Sequence, residues 1–288
     1  MISHAYGDID QSMRIAIMEQ IYKDRNNRNL FYPLATQIVN QRIPQISKIH
    51  EDSHLNQLKE HGCIIINDFL NKEEIEHILD LTKKNPGYNA HVPVYSDGVA
   101  RFYNENYEYN TLSYRPDLFL QDEIVLKKIT HPYLISLAQG YLNCFPTMYS
   151  INCWWHKFSP STYSTQKTHR DHDDFRFLAF FIYLTDIDEN NGPHVFYPKT
   201  HDGTDRHEQV VITGKAGTAI MADTYALHRG QPLKQGERLL IWWRYGMYVN
   251  EIHYNDKNYL YKVPHENVFP LIEDNLHNRY LLRAFLKE

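Results

Sequence analysis

The sequence predicts a mainly β fold with flanking helices. After Pro146 the apolar and aromatic segments become short and are bounded by turn residues, a rhythm typical of an all-β sandwich or barrel. One of these turns contains Asn191-Gly192, and Asn-Gly favours a hairpin because both central residues accept positive φ. Before Pro146 the apolar residues instead recur at helical spacing. We therefore expect a β core that helices precede and surround.

The first fifty residues are predicted to be helical. Met13, Ile17 and Ile21 recur at every fourth position, which places them on one face of a helix. Asn26-Asn27 interrupts this pattern. We interpret residues 1–52 as a helical N-terminal extension that packs on the core.

Helices also flank the first predicted strand. A short helix runs from Ser53 to His61, with its first residue as N-cap and Gly62 as its C-terminal stop. Cys63–Ile66 is a compact strand signal. Asn71 and Glu74 then have the spacing of a capping box, which predicts the start of another helix.

The second half contains most of the predicted strands. A helix from about Pro132 to Leu142 precedes them, and its proline suits the first helical turn. The predicted strands are Thr147–Phe158, Phe177–Thr185, His194–Tyr197, Gln209–Thr213, Thr218–Ala222 and Leu239–Val249. A helical segment from about Leu271 to Leu286 closes the chain. Because no linker rich in Pro, Gly or Ser separates the halves, we predict one domain over residues 1–288, with its core in residues 53–250.

Composition argues against several classes of protein. The chain has 288 residues, with 30 Lys or Arg and 35 Asp or Glu, so its net charge of −5 argues against nonspecific nucleic-acid binding. No apolar stretch approaches the ~20 residues of a membrane span, and the start of the sequence does not resemble a signal peptide. Cys63, Cys144 and Cys153 are far apart and odd in number, which predicts no disulfide framework and a cytoplasmic, reducing compartment.

The richest polar cluster spans residues 168–174, directly before a predicted strand. His169 and Asp171 are two residues apart, and alternate residues of an extended chain project to the same side. One imidazole and one carboxylate can therefore approach the same ion. His228, between two predicted strands, is the best candidate for a second imidazole. Two histidines and a carboxylate form the facial triad that binds nonhaem Fe(II) and leaves three positions for a cosubstrate and O2.

A candidate anion clamp follows the second histidine. Arg238 lies ten residues after His228, at the start of the next predicted strand. Its planar guanidinium can form two parallel hydrogen bonds to a carboxylate and stays charged throughout. Such a group suits the distal carboxylate of 2-oxoglutarate, whose 2-oxo acid end would chelate the iron.

These residues belong to an ordered set of motifs. The set comprises His61–Leu70, His169-Arg170-Asp171, Phe181–Asp186, Glu189–Pro193 with His201, Asp223-Thr224, His228-Arg229-Gly230 and Gly236-Glu237-Arg238. In this order the sequence resembles the phytanoyl-CoA dioxygenase family over about residues 55 to 250. The family often has Pro-Gly-Ser-His where this chain reads Pro198-Lys199-Thr200-His201, a departure outside the metal motif.

The resemblance implies a double-stranded β-helix (jelly-roll or cupin-like) core and an oxygenase that uses Fe(II), 2-oxoglutarate and O2. Transferred residue by residue, it implies that His169, Asp171 and His228 hold iron and that Arg238 holds 2-oxoglutarate, with no catalytic residue beyond these ligands. The expected reaction hydroxylates or otherwise oxidises a C–H bond of a small organic substrate. Halogenation is disfavoured, because related halogenases have Ala or Gly in place of Asp171.

Several alternatives remain open in the sequence. His172 and Asp174 form a second His-x-Asp pair, and we favour the first because of its spacing to the next strand. His172-Asp173 also resembles the dipeptide of metal-dependent phosphohydrolases, although those sites need helical surroundings. The same two histidines and aspartate would suit zinc in a hydrolase, and a non-catalytic binding module is the other rival.

Two aromatic features have no assigned role. Trp154-Trp155 and Trp242-Trp243 would line a pocket, but neighbours on a strand point to opposite faces, so at least one of each pair is expected in the core. The irregular segment Val92–Tyr114 is rich in tyrosine and forms either a lid or ordinary surface.

Overall fold

The computed structural model describes residues 17–18, 20–46, 52–90, 100–106, 109–160, 164–249 and 275–286. The strands in these ranges are β1 (Cys63–Ile66), β2 (Tyr88–Asn89), β3 (Thr111–Ser113), β4 (Thr147–Lys157), β5 (Phe177–Tyr183), β6 (His194–Phe196), β7 (Val210–Ile212), β8 (Ala219–Ala222), β9 (His228–Gly230) and β10 (Glu237–Gly246). Seven form one antiparallel sheet in the order β1-β8-β5-β10-β4-β3-β2, and three form a second in the order β7-β6-β9. The predicted mainly β fold class is confirmed.

The two sheets pack face to face. Tyr183 and Trp242 of the large sheet share one apolar cluster with Phe196 and Ile212 of the small sheet. The large sheet therefore has an inner face, directed at the small sheet, and an outer face directed at helices. This two-sheet sandwich is the framework of a jelly roll.

Strand β10 illustrates how the period of two divides the core. Leu239, Ile241 and Trp243 belong to the helix-covered cluster, whereas Leu240 and Trp242 belong to the cluster between the sheets. Successive residues of a strand point to opposite faces, so adjacent tryptophans separate. The prediction that one tryptophan of each pair lies in the core is confirmed, since Trp155 and Trp243 are buried on the outer face.

Helices cover the outer face of the large sheet. They are α1 (Arg25–Arg42), α2 (Ser53–His61), α3 (Lys72–Lys84), α4 (Pro116–Leu120), α5 (Glu123–Ile129), α6 (Pro132–Leu142) and α7 (Leu276–Leu282). Ala35 and Val39 of α1 are buried in the same cluster as Trp243 of β10. Residues of the N-terminal extension thus pack on the core, and the division into domains stays a prediction.

The predicted helix starts are correct in two cases and wrong in one. Asn71 and Glu74 form the predicted capping box at α3, and α6 begins at Pro132. The N-cap of α2 is Asp52 rather than Ser53, because the Asp52 carboxylate accepts the Leu55 N–H at 2.8 Å. The predicted interruption of the helical pattern lies at Asp24 rather than at Asn26-Asn27, which belongs to the first turn of α1.

Gly62 ends α2 as predicted, in the left-handed region at φ 81°. A Cβ atom at this position would approach Nδ1 of His201 within 2.6 Å, so the turn requires glycine for space as well as for conformation. This turn directs the chain from α2 into β1.

Several elements were not predicted from the sequence, namely β2, β3, β9, α4 and α5. The Met13 position, part of the segment Val92–Tyr114 and the start of the predicted helix Leu271–Leu286 lie outside the described residues. The three cysteines are free thiols, in agreement with the prediction. None of the helices in the described ranges has the length and apolar character that a bilayer span requires.

Candidate metal centre

Backbone hydrogen bonds bring two distant segments together at the inner face of the sandwich. His169 precedes β5, and His228 is the first residue of β9. Each donates its N–H to the carbonyl of the other at 3.0 Å, and Asp171 donates its N–H to Thr224 O at 2.9 Å. The pairing fixes His169 and Asp171 relative to His228, although about 60 residues separate the two segments.

Three side chains converge at this point. One ligand atom each from His169, Asp171 and His228 lies within 4.8 Å of the others. The Nε2 atoms of His169 and His228 are 3.5 Å and 3.6 Å from the two carboxylate oxygens of Asp171. Two imidazole nitrogens and one carboxylate at these separations match the donor set of a facial triad.

Hydrogen bonds to the backbone orient both imidazole rings. Nδ1 of His169 lies 2.8 Å from Lys167 O, and Nδ1 of His228 lies 2.9 Å from Ala226 O. A carbonyl can only accept, so each Nδ1 carries the proton and each Nε2 keeps its lone pair for an ion. Burial lowers the pKa of His228 to about 4, which keeps this ring neutral.

A partly buried arginine binds the carboxylate of Asp171. Arg244 of β10 donates through Nη2 to Asp171 Oδ2 at 2.6 Å, and its Nη1 lies 2.6 Å from Asp173 Oδ2. Burial alone would raise the pKa of Asp171, but its pKa is lowered, chiefly by the charge of Arg244. Asp171 is therefore an anion whose orientation is set by the protein.

The second His-x-Asp pair is used differently. The Asp174 carboxylate accepts the backbone N–H groups of Phe175, Met247 and Tyr248 at 2.7 to 2.8 Å. The ring of His172 packs edge-on against Tyr225 at 5.7 Å between centroids. Asp174 thus accepts hydrogen bonds from backbone N–H groups. Among the described residues, neither His172 nor Asp174 belongs to the group of side chains that could hold a metal ion.

Arg238 lies on the same inner face of β10 as Trp242 and Arg244, because all three are separated by even numbers of residues. Its side chain is buried, its Nη1 donates to Gly192 O, and its Nε has no hydrogen-bond partner among the described residues. Burial lowers its pKa to about 10, so it stays charged at neutral pH. Gly230 leaves space beside it, since a Cβ atom there would meet Arg238 Nη2 at 3.5 Å.

His194 of β6 lies between Tyr183 of the large sheet and β9, the strand that carries His228. It is half-buried, its Nδ1 lies 3.2 Å from the Tyr183 hydroxyl, and it pairs with Gly230 on β9. Burial and the charge of Arg238 lower the pKa of His194 well below its usual value. Because His228 and Gly230 both belong to β9, and a Cβ atom at Gly230 would meet Arg238 Nη2 at 3.5 Å, Arg238 and His228 border the same part of the sandwich interior.

Sequence reasoning missed Arg244 and His194 as residues of the site. A signal existed for Arg244, since a charged side chain in the apolar strand β10 stands on the face of Arg238 by the period of two. No such signal marks His194, because its position becomes evident only when β6 pairs with β9.

The comparisons with known proteins agree with this geometry. The sequence model described as Phytanoyl-CoA dioxygenase (PhyH) matches residues 58–244. No curated protein matches the sequence significantly.

Solved structures share the fold at low sequence identity. EctD from S. alaskensis with bound Fe is 15% identical over 70% of this chain and 78% of its own, with a TM-score of 0.52. The non-heme alpha ketoglutarate dependent carbocyclase SnoK from nogalamycin biosynthesis is 15% identical over 70% and 86%, with a TM-score of 0.51. The epimerase SnoN in complex with Fe3+, alpha ketoglutarate and nogalamycin RO is 12% identical over 66% and 81%, with a TM-score of 0.50.

Proposed function

The chain belongs to the phytanoyl-CoA dioxygenase family, and from this premise we propose that it is an oxygenase dependent on nonhaem Fe(II) and 2-oxoglutarate. In this proposal it oxidises a C–H bond of a small organic substrate and releases succinate and CO2. The observation that carries the proposal is the convergence of His169, Asp171 and His228 on the inner face that also holds the buried Arg238.

The three residues suit Fe(II) in chemistry as well as in position. His169 and His228 would each bind the ion through Nε2, because Nδ1 of each faces a backbone carbonyl. Asp171 would supply the carboxylate ligand, held in its ionised form by Arg244. Bound Fe(II) would supply the activation of O2 that is coupled to decarboxylation of 2-oxoglutarate.

Arg238 would bind the distal carboxylate of 2-oxoglutarate. Its buried Nε has no acceptor among the described residues, and Gly230 leaves space beside its Nη2. A carboxylate placed there would accept two parallel hydrogen bonds from the guanidinium. His194 is neutral, so it adds no second cation, and Arg238 would supply the charge that selects a dicarboxylate cosubstrate.

The substrate and the type of oxidation belong to the proposal as well. We propose hydroxylation or a related oxidation rather than halogenation, because Asp171 occupies the position that a halide would need. A small-molecule substrate is supported by the fold neighbour SnoN, whose structure contains nogalamycin RO. No polymer or membrane partner is proposed.

An anaerobic titration tests the proposal directly. The purified full chain should bind one Fe(II), and subsequent addition of 2-oxoglutarate should produce a visible charge-transfer band. Under air, a substrate screen should then identify compounds that accelerate succinate release. The His228→Ala variant serves as the control and should lose both the band and succinate formation.

Two outcomes would favour the rivals. Tight Zn2+ binding with no response to 2-oxoglutarate would indicate a hydrolase that uses the same two histidines and aspartate. Failure to bind either a metal ion or 2-oxoglutarate would indicate a non-catalytic module.

A further inference from the structure

A polar cavity lies beside α1, apart from the candidate metal centre. His169, Asp171 and His228 do not line it. Its volume is about 230 Å³. The walls include Arg25, Arg28, Tyr32, Tyr141, Arg176 and Tyr225. The proposed oxygenase reaction assigns no role to this cavity.

Arg28 is the central feature of the cavity. Its side chain is buried, and its Nη1 has no hydrogen-bond partner among the described residues. The guanidinium carbon lies 3.5 Å from the ring centroid of Tyr225, so the cation stacks on an aromatic face. Stacking does not satisfy N–H donors in the guanidinium plane, and a buried donor without an acceptor is costly.

Arg176 repeats this arrangement on another wall. Its guanidinium carbon lies 4.0 Å from the ring centroid of Tyr32 and 5.6 Å from that of Tyr141. In the part of the chain that the structure describes, no carboxylate forms an ion pair with Arg176. Two arginines are therefore supported by aromatic rings, which leaves their N–H groups available to an added acceptor.

The acidic residues of the cavity are engaged by neighbouring donors. The Asp223 carboxylate accepts the Tyr141 hydroxyl at 2.6 Å and the Tyr225 N–H at 2.9 Å. Asp202 accepts both the N–H and the hydroxyl of Thr204, at 2.8 Å and 2.6 Å. Three arginines and two aspartates line the cavity, so its net charge is positive and favours an anion.

We propose that this cavity binds the oxyanion group, a carboxylate or a phosphate, of a small organic ligand. Arg28 and Arg176 are its charged partners, and the tyrosine rings form the walls around the organic part. The turn that contains Asp223 and Tyr225 leads to His228, so a ligand here borders the backbone that carries the metal centre. Binding in the cavity does not require a metal ion.

Calorimetric titration of the metal-free full chain tests the proposal. The probes are inorganic phosphate, acetate, phenyl phosphate and benzoate, which separate the phosphate source from the carboxylate source and show whether an aromatic body adds affinity. We expect saturable binding of at least one probe. Arg28→Gln and Arg176→Gln should each weaken it by about 10-fold or more, because each removes a charge-assisted hydrogen bond.

Two further variants locate the binding. Arg115→Gln is the matched control, since Arg115 is partly exposed, pairs with Asp117 and lies outside the cavity. It should leave the affinity unchanged. If Arg238→Gln abolishes anion binding while Arg28→Gln does not, the anion binds at the Arg238 clamp and the proposal is wrong.

Thermal unfolding without anion separates a binding role from a structural one. Arg28→Gln removes a buried cation with an unpaired donor, so its Tm should equal or exceed that of the parent protein. A lower Tm together with unchanged anion affinity would give Arg28 a structural role only and would overturn the proposal. The absence of saturable binding by every probe would overturn it as well.

Discussion

Arg238 and Arg244 both lie on the inner face of β10, and we call the part of that face from Arg238 to Arg244 the inner strip. The electrostatic environments at its two ends are opposite. Arg244 contacts the carboxylates of Asp171 and Asp173, each at 2.6 Å. Arg238 has no carboxylate partner among the described residues and donates to a backbone carbonyl, Gly192 O. Burial disfavours both cations, yet the two aspartates raise the pKa of Arg244, whereas burial lowers that of Arg238 to about 10.

The difference shows which of the two cations has its counterions within the described part of the protein and which does not. At the Arg244 end the protein supplies both the cation and its anions, so the orientation of Asp171 is set before any ion binds. At the Arg238 end the protein supplies only a buried cation, so we expect an external carboxylate to complete the pair. A preorganised carboxylate at the first end and a cation without a counterion at the second are what a site for a metal ion and an anionic cosubstrate requires.

Removal of the two cations should have unequal effects on folding, and this is the largest effect we expect. Arg244→Met leaves Asp171 and Asp173 buried without their counterion, which should lower the free energy of unfolding by about 3–5 kcal/mol. Arg238→Met is the matched control and should change it by less than about 1 kcal/mol without ligand, because no carboxylate loses its partner. Urea unfolding of the metal-free proteins measures both. Equal losses in the two variants would remove the distinction between the two ends of the strip.

In the proposed site Asp171 would link Arg244 to the ion, so its removal tests the Arg244 end of β10. Asp171→Ala should lower Fe(II) affinity at least about 100-fold, since it removes a charged ligand rather than a supporting group. His172→Ala is the control and should leave the affinity within about threefold, because its ring packs against Tyr225. Anaerobic metal titration provides the measurement. Loss of iron in the His172 variant would instead assign the ligand set to the second His-x-Asp pair.

Cosubstrate affinity tests the open end of the strip. Arg238→Gln should weaken 2-oxoglutarate binding by about 10- to 100-fold, the effect of losing a charge-assisted bidentate interaction. Fe(II) affinity should stay constant, because Arg238 contacts none of the three proposed ligands. Anaerobic titrations of each ligand distinguish the two affinities. A matching decrease in Fe(II) affinity would show that Arg238 supports the metal centre instead.

The sequence predicted most of the strands because they are apolar and bounded by turns. Strand β9 was missed, since His228-Arg229-Gly230 is short, polar and without alternation, and only its pairing with β6 makes it a strand. Likewise, the spacing of His169 and Asp171 predicted candidate ligands, but His172 and Asp174 have the same spacing. The contacts that distinguish the two pairs are hydrogen bonds to Thr224 and Met247, which lie more than fifty residues away in the sequence.

The electrostatic environments of the two arginines could not be predicted for the same reason. The charge of Arg244 was visible in the sequence of β10, but Asp171 and Asp173 lie about 70 residues earlier and come close only when the segment before β5 folds across the sheet. Arg238 was predicted from its distance to His228 and from the family resemblance. Its burial without a carboxylate partner is information that only the three-dimensional structure provides.

The smallest expected effect concerns the space beside Arg238. Gly230 has no positive φ, and a Cβ atom there would meet Arg238 Nη2 at 3.5 Å, an ordinary contact distance. Gly230→Ala should therefore change the free energy of unfolding by less than about 0.5 kcal/mol. If that space holds the cosubstrate carboxylate, the same methyl group should weaken 2-oxoglutarate binding several-fold while Fe(II) affinity stays constant. Unchanged 2-oxoglutarate affinity would place the carboxylate on the other side of the guanidinium, so this substitution determines which edge of Arg238 meets the ligand.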